Sequence, residues 1–579
     1  MSTVVGIHDG HNASVAVVRD GRLEFALQEE RLTRVKNQGD APVAASFEAR
    51  STGTLMDEEA DATVRIALNG RYMNYNQWQR ETILRDYENS ADFTSRLKQP
   101  LKNTFIDRAY QQLKAQARLA ELSKLGWDSS PPEVVEHHVA HAAAAYYTSP
   151  WGSGKAHEGK TLVLTCDGSG DRMSATVSIG ERNTLTRISG ISEHDSIGRL
   201  YALVTRVLGM APLEHEYKVM GLAPYVASAE KAAGAARQFL ELFEFTSDGL
   251  GWRRKHGVPS MYAAYGMLQG MLQNQRFDGI AAGAQYFVEQ MLCTWVRNAI
   301  RETGISKIAC SGGVFMNVKA NLRVLELPEV EDMYVFPSCG DESNSIGAAC
   351  FLAAQSGQQV QPLGPIYYGD SISDREAELA LEPAAQTGAF QATFVPSIEN
   401  LVAEKLAEGK IVARASGACE FGARALGNRS ILARADSPGA VRTINEMIKN
   451  RDFWMPFAPS VLAERASDYY EKPKPVTSPY MMFAFRSKKE RRSAFPAAQH
   501  PYDFTTRPHE VTETHNPAYY RLLKEYEERT GEGILLNTSF NLHGEPIVYR
   551  ARDAVDVFLR SGLEFMALGN WWVEKKHTP

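Results

Sequence analysis

The segment LVLTCDGSGDRMSATVS, residues 162–178, carries the clearest structural pattern in the sequence. Its apolar first half, the Asp-Gly turn at 167–168 and its apolar second half form the pattern of a β-hairpin. The same pattern stands near the start of the chain, where residues 4–7 lead to the turn at 9–10 and then to residues 13–18. Asp-Gly is common at hairpin turns, so chance similarity is the alternative. On this pattern we predict a duplicated fold.

The rest of the chain alternates apolar strands with helical patterns. Residues 275–353 follow a strand–turn–helix rhythm, which indicates an α/β protein. Residues 40–130 are polar, with a helical pattern around 103–122, and are expected to be an insertion that forms part of a binding cleft. Gly, Pro and Gln near residue 360 indicate a boundary. We therefore predict three segments: 1–360, a linker at 361–394, and a smaller α/β unit at 395–579.

Composition excludes several classes of protein. The 579 residues are 44% hydrophobic and 23% charged, with a net charge of −6, which is not the footprint of a nucleic-acid or anionic-membrane binder. The six cysteines form no C-x-x-C pair and are expected to be reduced, buried thiols. The first ten residues lack the pattern of a signal peptide, and no apolar run is long enough to span a bilayer. We expect a cytoplasmic protein.

The segment EHHVAHAAAAYY, residues 136–147, carries a candidate metal site. Its alanines favour a helix, which would put His137 and His141 one turn apart on one face, within reach of one ion. Such pairs are also common as ordinary surface or core histidines. Asp167 ends a strand soon afterwards and Asp341 stands in a turn before a helix, although either could be only a turn or cap residue. Together they form a nitrogen and oxygen set that suits iron, zinc or manganese.

Glycine-rich turns follow several of the apolar strands. Glycines let backbone N–H groups approach phosphate oxygens, and helix N-termini favour negative charge. The set predicts a phosphate-binding cleft, whereas any one member could be simply a tight turn. The turns are at residues 9–10, 167–170, 311–313 and 345–347.

The last third of the chain carries a dense set of cations among Ala, Phe, Trp and Pro. Arginines in such loops can grip a phosphate or carboxylate with two hydrogen bonds, so we predict a lined anion pocket. A solvated basic face is the alternative. The candidate residues are Arg424, Lys449, Arg451, Arg507, Asn537 and Ser539.

In this order the motifs resemble one family over nearly the whole chain. Those of the first part resemble the metal- and nucleotide-binding motifs of the actin-like ATPase fold of tRNA threonylcarbamoyl transferases: HHVAH (137–141), CDGSGD (166–171), SGGVFMN (311–317) and GDESNSIGAA (340–349). Those of the second part resemble the O-carbamoyltransferases of the tobramycin and nodulation-factor type: GARALGNRSIL (422–432), KNRDFWMPFAPS (449–460), TRPHEVTE (506–513) and LLNTSFNLHGEPI (535–547).

The resemblance implies a fold and a reaction. A duplicated actin-like domain would come first and a smaller domain like threonylcarbamoyl-adenylate synthase (YrdC-like) second. Hydrogenase-maturation carbamoyltransferases, which are also similar, have the reverse order. The second domain would make carbamoyl-adenylate from carbamoyl phosphate and MgATP. The first would transfer the carbamoyl group to a hydroxyl of a natural product, for example a sugar in antibiotic or other secondary-metabolite tailoring, and release AMP.

The resemblance also assigns roles to residues. His11 would help to deprotonate the acceptor hydroxyl and Lys36 would neutralise the adenylate phosphate, although a turn histidine and a solvent-exposed lysine are the alternatives. The metal, expected to be Fe(II), with Zn or Mn as alternatives, would be held by His137, His141, Asp167 and Asp341. The nucleotide loop would comprise Gly10, Asp167, Gly168, Gly312, Gly313 and Asn317. Carbamoyl phosphate and ATP would bind Arg424, Lys449, Arg451, Arg507, Asn537 and Ser539.

Two other functions stay open at this point. One is tRNA threonylcarbamoylation, which the negative net charge and the fused second domain disfavour. The other is a non-catalytic nucleotide-binding regulator, which gives no reason for both a metal site and a cationic pocket. The expected partners are carbamoyl phosphate, ATP and a small hydroxyl compound, without nucleic acid or membrane. A homodimer is left open.

Overall fold

The computed structural model describes residues 2–51, 64–71, 83–84, 87, 116, 118–120, 122, 125–127, 131–152, 159–386 and 388–576. The chain forms two compact units. The first comprises Met1–Glu29 and Asn37–Leu363, and the second comprises Glu30–Lys36 and Gly364–Pro579. The short segment Glu30–Lys36 therefore belongs with the second unit, although its neighbours in sequence lie in the first.

The first unit contains two five-stranded sheets. One has the strand order β3-β2-β1-β4-β5 and the other the order β12-β11-β6-β7-β8. A separate two-stranded ladder joins β9 to β10. The strands are β1 (Thr3–His8), β2 (Ser14–Arg19), β3 (Arg22–Gln28), β4 (Val64–Asn69), β5 (Glu133–Val135), β6 (Thr161–Gly170), β7 (Met173–Glu181), β8 (Thr184–Ser192), β9 (Phe243–Phe245), β10 (Trp252–Arg254), β11 (Lys307–Ser311) and β12 (Asp332–Val335).

The two sheets have the same topology. The central strands β1 and β6 each begin an antiparallel meander, β1-β2-β3 and β6-β7-β8. On the other edge each pairs in parallel with a later strand, β1 with β4 and then β5, and β6 with β11 and then β12. The duplicated α/β fold predicted from the two Asp-Gly hairpins is therefore confirmed.

Equivalent helices follow the last strand of each sheet. We call His137–Tyr147, which follows β5, the histidine helix; its counterpart after β12 is Asn344–Gln355. They pack backbone against backbone, because a Cβ on Gly347 would lie 1.9 Å from the carbonyl oxygen of Ala140. The other helices that the structure describes in this unit are Val43–Ser51, Ile197–Val207, Glu216–Leu222, Ala229–Leu240, Tyr265–Leu272, Phe277–Thr303 and Val318–Leu325. Single 3₁₀ turns are at Glu193–Asp195, Ala223–Tyr225, Gly313–Met316 and Asp341–Ser343.

Part of the region 40–130, expected to be an insertion, belongs to the first sheet. Strand β4 pairs in parallel with β1, and its residues from Ile66 onwards are buried. The sequence interpretation missed this strand because only one short apolar run stands among polar residues. The helix expected around 103–122 lies almost entirely outside the described residues.

The second unit is built on an eight-stranded mixed sheet of order β14-β25-β24-β15-β17-β23-β18-β22. A two-stranded and a three-stranded ladder accompany it. The strands are β13 (Ser371–Ile372), β14 (Phe390–Phe394), β15 (Val412–Ala415), β16 (Gly417–Ala418), β17 (Arg429–Arg434), β18 (Ala458–Leu462), β19 (Tyr470–Glu471), β20 (Phe485–Ser487), β21 (Thr505–Thr506), β22 (His509–Val511), β23 (Ile534–Ser539), β24 (Phe565–Leu568) and β25 (Trp571–Lys575).

Helices of the second unit contribute to two hydrophobic clusters, both of which also take residues from the large sheet. The α-helices are Glu30–Thr33, Asp374–Ala385, Ile398–Ala407, Pro438–Ile444, Ala466–Tyr469, Pro517–Thr530 and Ala551–Arg560. One π-helical turn is Asn445–Lys449, and 3₁₀ turns are at Ala463–Arg465, Lys489–Ala494 and Pro496–Ala498.

Residues 361–394, which were predicted to be a linker, contain regular structure. Helix Asp374–Ala385 begins at a Ser373 cap, and strand β14 pairs antiparallel with β25. Ala377, Leu381 and Phe390 are buried in the core of this unit. The Gly, Pro and Gln residues near 360, on which the boundary was predicted, lie between helix Asn344–Gln355 and helix Asp374–Ala385, where the first unit ends at Leu363.

Two expectations about the chain as a whole can be compared with the structure. All six cysteines are buried and free of disulfides, as the sequence indicated. Among the helices that the structure describes, none combines the length and the apolar character that crossing a bilayer requires.

Candidate metal and anion sites

Two histidines and two carboxylates meet in the first unit. The histidine helix supplies His137 and His141, strand β6 supplies Asp167, and the 3₁₀ turn before helix Asn344–Gln355 supplies Asp341. One ligand atom from each of the four lies within 4.8 Å of the others. Nε2 of His137 is 3.3 Å from Oδ2 of Asp167, and Nε2 of His141 is 3.4 Å from Oδ1 of Asp341. We call these four residues the metal quartet.

Local sequence fixes the histidine helix at this place. Glu136 caps the helix by accepting hydrogen bonds from the backbone N–H groups of His138 and Val139. Asp171 accepts a hydrogen bond from the backbone N–H of His137 at 2.8 Å. Gly170 provides the space for the ring, because a Cβ there would lie 2.1 Å from the imidazole of His137. His138 points elsewhere, with Nδ1 2.8 Å from the hydroxyl of Thr165.

The electrostatics of the quartet are those of a cation site. Burial lowers the pKa of His137, but the carboxylates of Asp341 and Asp167 outweigh it and raise the pKa to about 9. Burial raises the pKa of Asp167, but the hydrogen bond and charges of the two histidines lower it overall. Oδ1 of Asp341 is buried, 3.4 Å from Nε2 of His141 and 3.5 Å from Nε2 of His137, without a hydrogen bond of good geometry from the described residues, so it is available to a cation. The donor set of two imidazoles and two carboxylates fits iron, zinc or manganese.

The predicted nucleotide loop orients the quartet. The backbone N–H of Gly313 donates to Oδ1 of Asp167 at 3.0 Å. Gly312 has φ +101°, and a Cβ there would lie 2.3 Å from the carbonyl oxygen of Cys166, so only glycine fits. Asn317 caps helix Val318–Leu325 and exchanges two side-chain hydrogen bonds with Gln285. Gly168 is open, with no atom within 4 Å of a Cβ built on it.

The first Asp-Gly turn is tied to the region 40–130. Asp9 is buried and accepts two hydrogen bonds from Arg118, at 2.6 and 2.8 Å. Gly10, next to it, is buried as well. Arg118 also donates to the carbonyl oxygen of Asn69 at 2.6 Å. This pair joins a turn predicted to bind phosphate to the region that was expected to form part of a binding cleft.

One buried histidine close to the quartet escaped the sequence interpretation. His8 ends β1; its Nδ1 is 2.8 Å from the amide nitrogen of Asn69 and its Nε2 is 2.9 Å from the carbonyl oxygen of His11. Burial lowers its pKa to about 4, against the opposing charges of Asp341 and Asp9. The neutral ring therefore holds the backbone of the turn that carries His11, the residue predicted to act on the acceptor. The internal repeat could have pointed to His8, because this residue directly precedes the first Asp-Gly turn, just as Cys166 directly precedes the second.

The second unit brings the predicted cations together around β23. Lys449, at the end of the π-helical turn, is buried, and its Nζ donates to Ser539 Oγ at 3.1 Å and to Asn541 Oδ1 at 2.6 Å. Arg451 donates to the hydroxyl of Thr538 at 3.3 Å. All of these partners are neutral oxygens rather than carboxylates.

Neighbouring cations in this group lower one another's pKa values. Burial lowers the pKa of Lys449, and the charges of Arg451 and Lys36 lower it further. Burial also lowers the pKa of Arg507, with Arg424 and Arg451 adding to the effect. Among the described residues, nothing accepts a hydrogen bond from the guanidinium of Arg507. The five residues that interact in this way form what we call the cation cluster: Lys36, Arg424, Lys449, Arg451 and Arg507.

Lys36 is exposed and belongs to the segment that joins the second unit. The predicted domain boundaries had placed it in the first domain, 1–360. Asn537 is 2% exposed, and its amide nitrogen donates to the carbonyl oxygen of Ala425 and to Ser460. It therefore braces β23 beside the cluster.

The fold and these two sites define a two-unit α/β protein whose first unit is internally duplicated. Family models describe both parts: the carbamoyltransferase N-terminus matches residues 3–350 and the carbamoyltransferase C-terminus matches residues 403–575. The chain belongs to the carbamoyltransferase family, and the resemblance drawn from its motifs is confirmed.

Two nodulation proteins are similar to this chain over most of its length. Nodulation protein NolO of Bradyrhizobium diazoefficiens is 31% identical over 76% of this chain and 79% of its own length. Nodulation protein NolNO of Sinorhizobium fredii is 29% identical over 98% of this chain and 79% of its own. A solved structure, full-length HypF in its phosphate- and nucleotide-bound form, matches at 13% identity and a TM-score of 0.33, over 62% of this chain and 56% of that one.

Proposed function

We propose that this chain is an ATP-dependent O-carbamoyltransferase that works through carbamoyl-adenylate. Carbamoyl phosphate, ATP and one water would give carbamoyl-adenylate, pyrophosphate and phosphate. An acceptor hydroxyl would then take the carbamoyl group, lose its proton and release AMP. Family membership supports the carbamoyl transfer. The observation that carries the adenylate step is the cation cluster, a group of mutually repelling cations in the second unit.

The cluster has the chemistry of a site for phosphorylated substrates. Repulsion among its like charges destabilises the ligand-free protein. A bound dianion such as carbamoyl phosphate would relieve that repulsion. Lys449 is bound by neutral oxygens, so its charge is not cancelled before substrate arrives. The planar guanidinium of Arg507 suits two parallel hydrogen bonds to a phosphate. Lys36 joins these residues, so its proposed phosphate role moves to this unit.

The metal quartet supports a second step in the first unit. His137, His141, Asp167 and Asp341 would hold the metal, which when bound supplies charge neutralisation at a phosphate. Gly313 keeps Asp167 oriented through its backbone N–H. His11 would accept the proton of the acceptor hydroxyl, and His8 holds the backbone of His11 in place.

A partial reaction tests the adenylate step without knowledge of the acceptor. The full chain is incubated with carbamoyl phosphate, MgATP and Fe(II), and carbamoyl-adenylate and AMP are measured by mass spectrometry. We expect both products from the wild type and neither from Lys449→Met, while Lys524→Met, a surface lysine of the same unit, behaves as the wild type. Absence of both products from the wild type would refute the proposal.

The acceptor is then sought among hydroxyl compounds by the mass increase of one carbamoyl unit. Turnover of tRNA with threonine and bicarbonate would favour threonylcarbamoylation instead. Nucleotide binding without any turnover would favour the regulator. Because acceptors are screened only after the partial reaction is established, a missing acceptor and a wrong mechanism give different results.

A further inference from the structure

A guanidinium lies between two tyrosine rings in the first unit. Arg199, on helix Ile197–Val207, has its Cζ 3.9 Å from the ring centroid of Tyr262 and 4.5 Å from that of Tyr87. Tyr87 is one of the few described residues of the region 40–130 and is 5% exposed. Contact with two rings restricts the guanidinium, and its N–H edge remains for hydrogen bonds.

That edge has no acceptor within the part of the chain that the structure describes. No side chain or carbonyl there takes a hydrogen bond from the guanidinium of Arg199, and no carboxylate is within ion-pair distance. Its Nε is buried without a partner. Buried donors of this kind are nearly always satisfied, so a ligand is the expected acceptor. A planar, fixed fork of N–H groups matches the two oxygens of a carboxylate.

The stack lies beside the metal quartet. The hydroxyl of Ser196, which caps the helix of Arg199, donates to the carbonyl oxygen of Asp167 at 3.2 Å. A Cβ on Gly198 would lie 2.8 Å from the same carbonyl oxygen, so the helix start touches the strand that carries Asp167. From the other side, the hydroxyl of Tyr262 donates to Ser169 at 2.8 Å, two residues after Asp167.

We infer that Tyr87, Arg199 and Tyr262 form the subsite for the carbamoyl acceptor, and that the acceptor is a hydroxy acid whose carboxylate binds the edge of Arg199. This inference rests on the proposed function, because the metal quartet is where the carbamoyl group would be transferred. It also gives the region 40–130 a role, since that region supplies one of the two rings.

Binding of paired probes tests the inference independently of turnover. The probes are D-glucuronate, D-gluconate and D-glycerate, each with its primary amide, and binding to the full chain is followed by saturation-transfer NMR titration. We expect at least one acid to bind on the order of tenfold to a hundredfold more tightly than its amide, the range for a charge-assisted hydrogen bond. If no acid is preferred over its amide, the inference is overturned.

Variants locate the preference. Arg199→Gln should abolish it, and Arg199→Lys, which keeps the charge but not the fork, should retain part of it. The control Arg253→Gln removes an arginine that is 71% exposed and should keep all of it. Thermal melting of each variant reports whether it is folded. If folded Arg199→Gln still prefers an acid to its amide, the carboxylate binds elsewhere and the inference is overturned.

The proposed function fails by a different measurement. If the wild type makes no carbamoyl-adenylate, the mechanism is wrong whatever the probes do. If it makes carbamoyl-adenylate while acids and amides bind alike, only the acceptor subsite is wrong. An acid that binds by this criterion is then assayed for the mass increase of one carbamoyl unit.

Discussion

Exchanging Gly170 for alanine tests how tightly the metal quartet depends on its loop. A Cβ at this position would lie 2.1 Å from both Cγ and Cδ2 of His137, against at least 3.4 Å for ordinary contact. The imidazole must therefore move by more than 1 Å or the loop must shift. The imidazole has little room to move, because His137 is buried and its backbone N–H donates a hydrogen bond to Asp171.

The expected effects of Gly170→Ala follow from that displacement. Overpacking of a filled interior costs about 1–3 kcal/mol of the free energy of unfolding. Displacement of one ligand should weaken metal binding at least as much as loss of a supporting contact does, about 10–100-fold. Gly168→Ala is the matched control: it lies in the same loop, meets nothing within 4 Å and has no positive φ, so metal content and stability should be unchanged.

The measurements are metal stoichiometry after dialysis against buffered Fe(II) or Zn(II), by plasma mass spectrometry, and the midpoint of urea unfolding for the metal-free chain. Urea unfolding of the metal-free chain measures the packing cost alone. In the presence of metal, weaker metal binding by the variant would lower its stability further. The reasoning is refuted if Gly170→Ala binds metal with wild-type affinity, or if both glycine variants lose metal equally.

Three further changes probe the rest of the structure. Lys449→Met removes a buried cation that two other cations repel, so it should abolish carbamoyl-adenylate formation while stability, measured by urea unfolding, stays equal or rises; a marked loss of stability would contradict this. Asp9→Asn leaves Arg118 buried without its counter-charge and should cost about 3–5 kcal/mol, and adding Arg118→Met should restore much of it; no recovery in the double variant would argue against the pair. Burial raises the pKa of Glu216 to about 7. Because the folded form holds this proton more tightly, stability should fall by up to about 3 kcal/mol as pH rises from about 4.5 to 7, and Glu216→Gln should flatten that part of the urea-midpoint profile; an unchanged slope would refute the assignment.

The sequence predicted those features that depend on local pattern. Two Asp-Gly hairpins indicated the duplication because a hairpin is specified by its turn and its alternating neighbours. His137 and His141 could be paired because helical spacing alone puts them on one face. Helix Asp374–Ala385 was missed because it closely follows the Gly-, Pro- and Gln-rich stretch near residue 360 and has few large apolar residues.

Features that depend on distant partners could not be predicted. Nothing near Lys36 in sequence indicates that its segment joins the second unit, and nothing near Arg118 indicates Asp9. The stack of Tyr87, Arg199 and Tyr262 brings together three residues from separate parts of the chain. No single stretch of sequence carries a signal for such a group, because its members share only their final position.

The two halves of the first unit show how a duplicated fold can support a single reaction. In both sheets the antiparallel ladder of the central strand reaches an Asp-Gly pair, at Asp9 and at Asp167. In one half the carboxylate is neutralised by Arg118, and in the other it faces His137. An arginine within hydrogen-bonding distance of Asp167 would compete with any cation there, while Asp9 without one would be a second buried charge close to His8. The asymmetry therefore leaves a single cluster of carboxylates, the proposed metal quartet, while the other aspartate binds the region 40–130 to the sheet. The pairing of Asp9 with Arg118 also holds in place the region 40–130, which supplies Tyr87 to the proposed acceptor subsite.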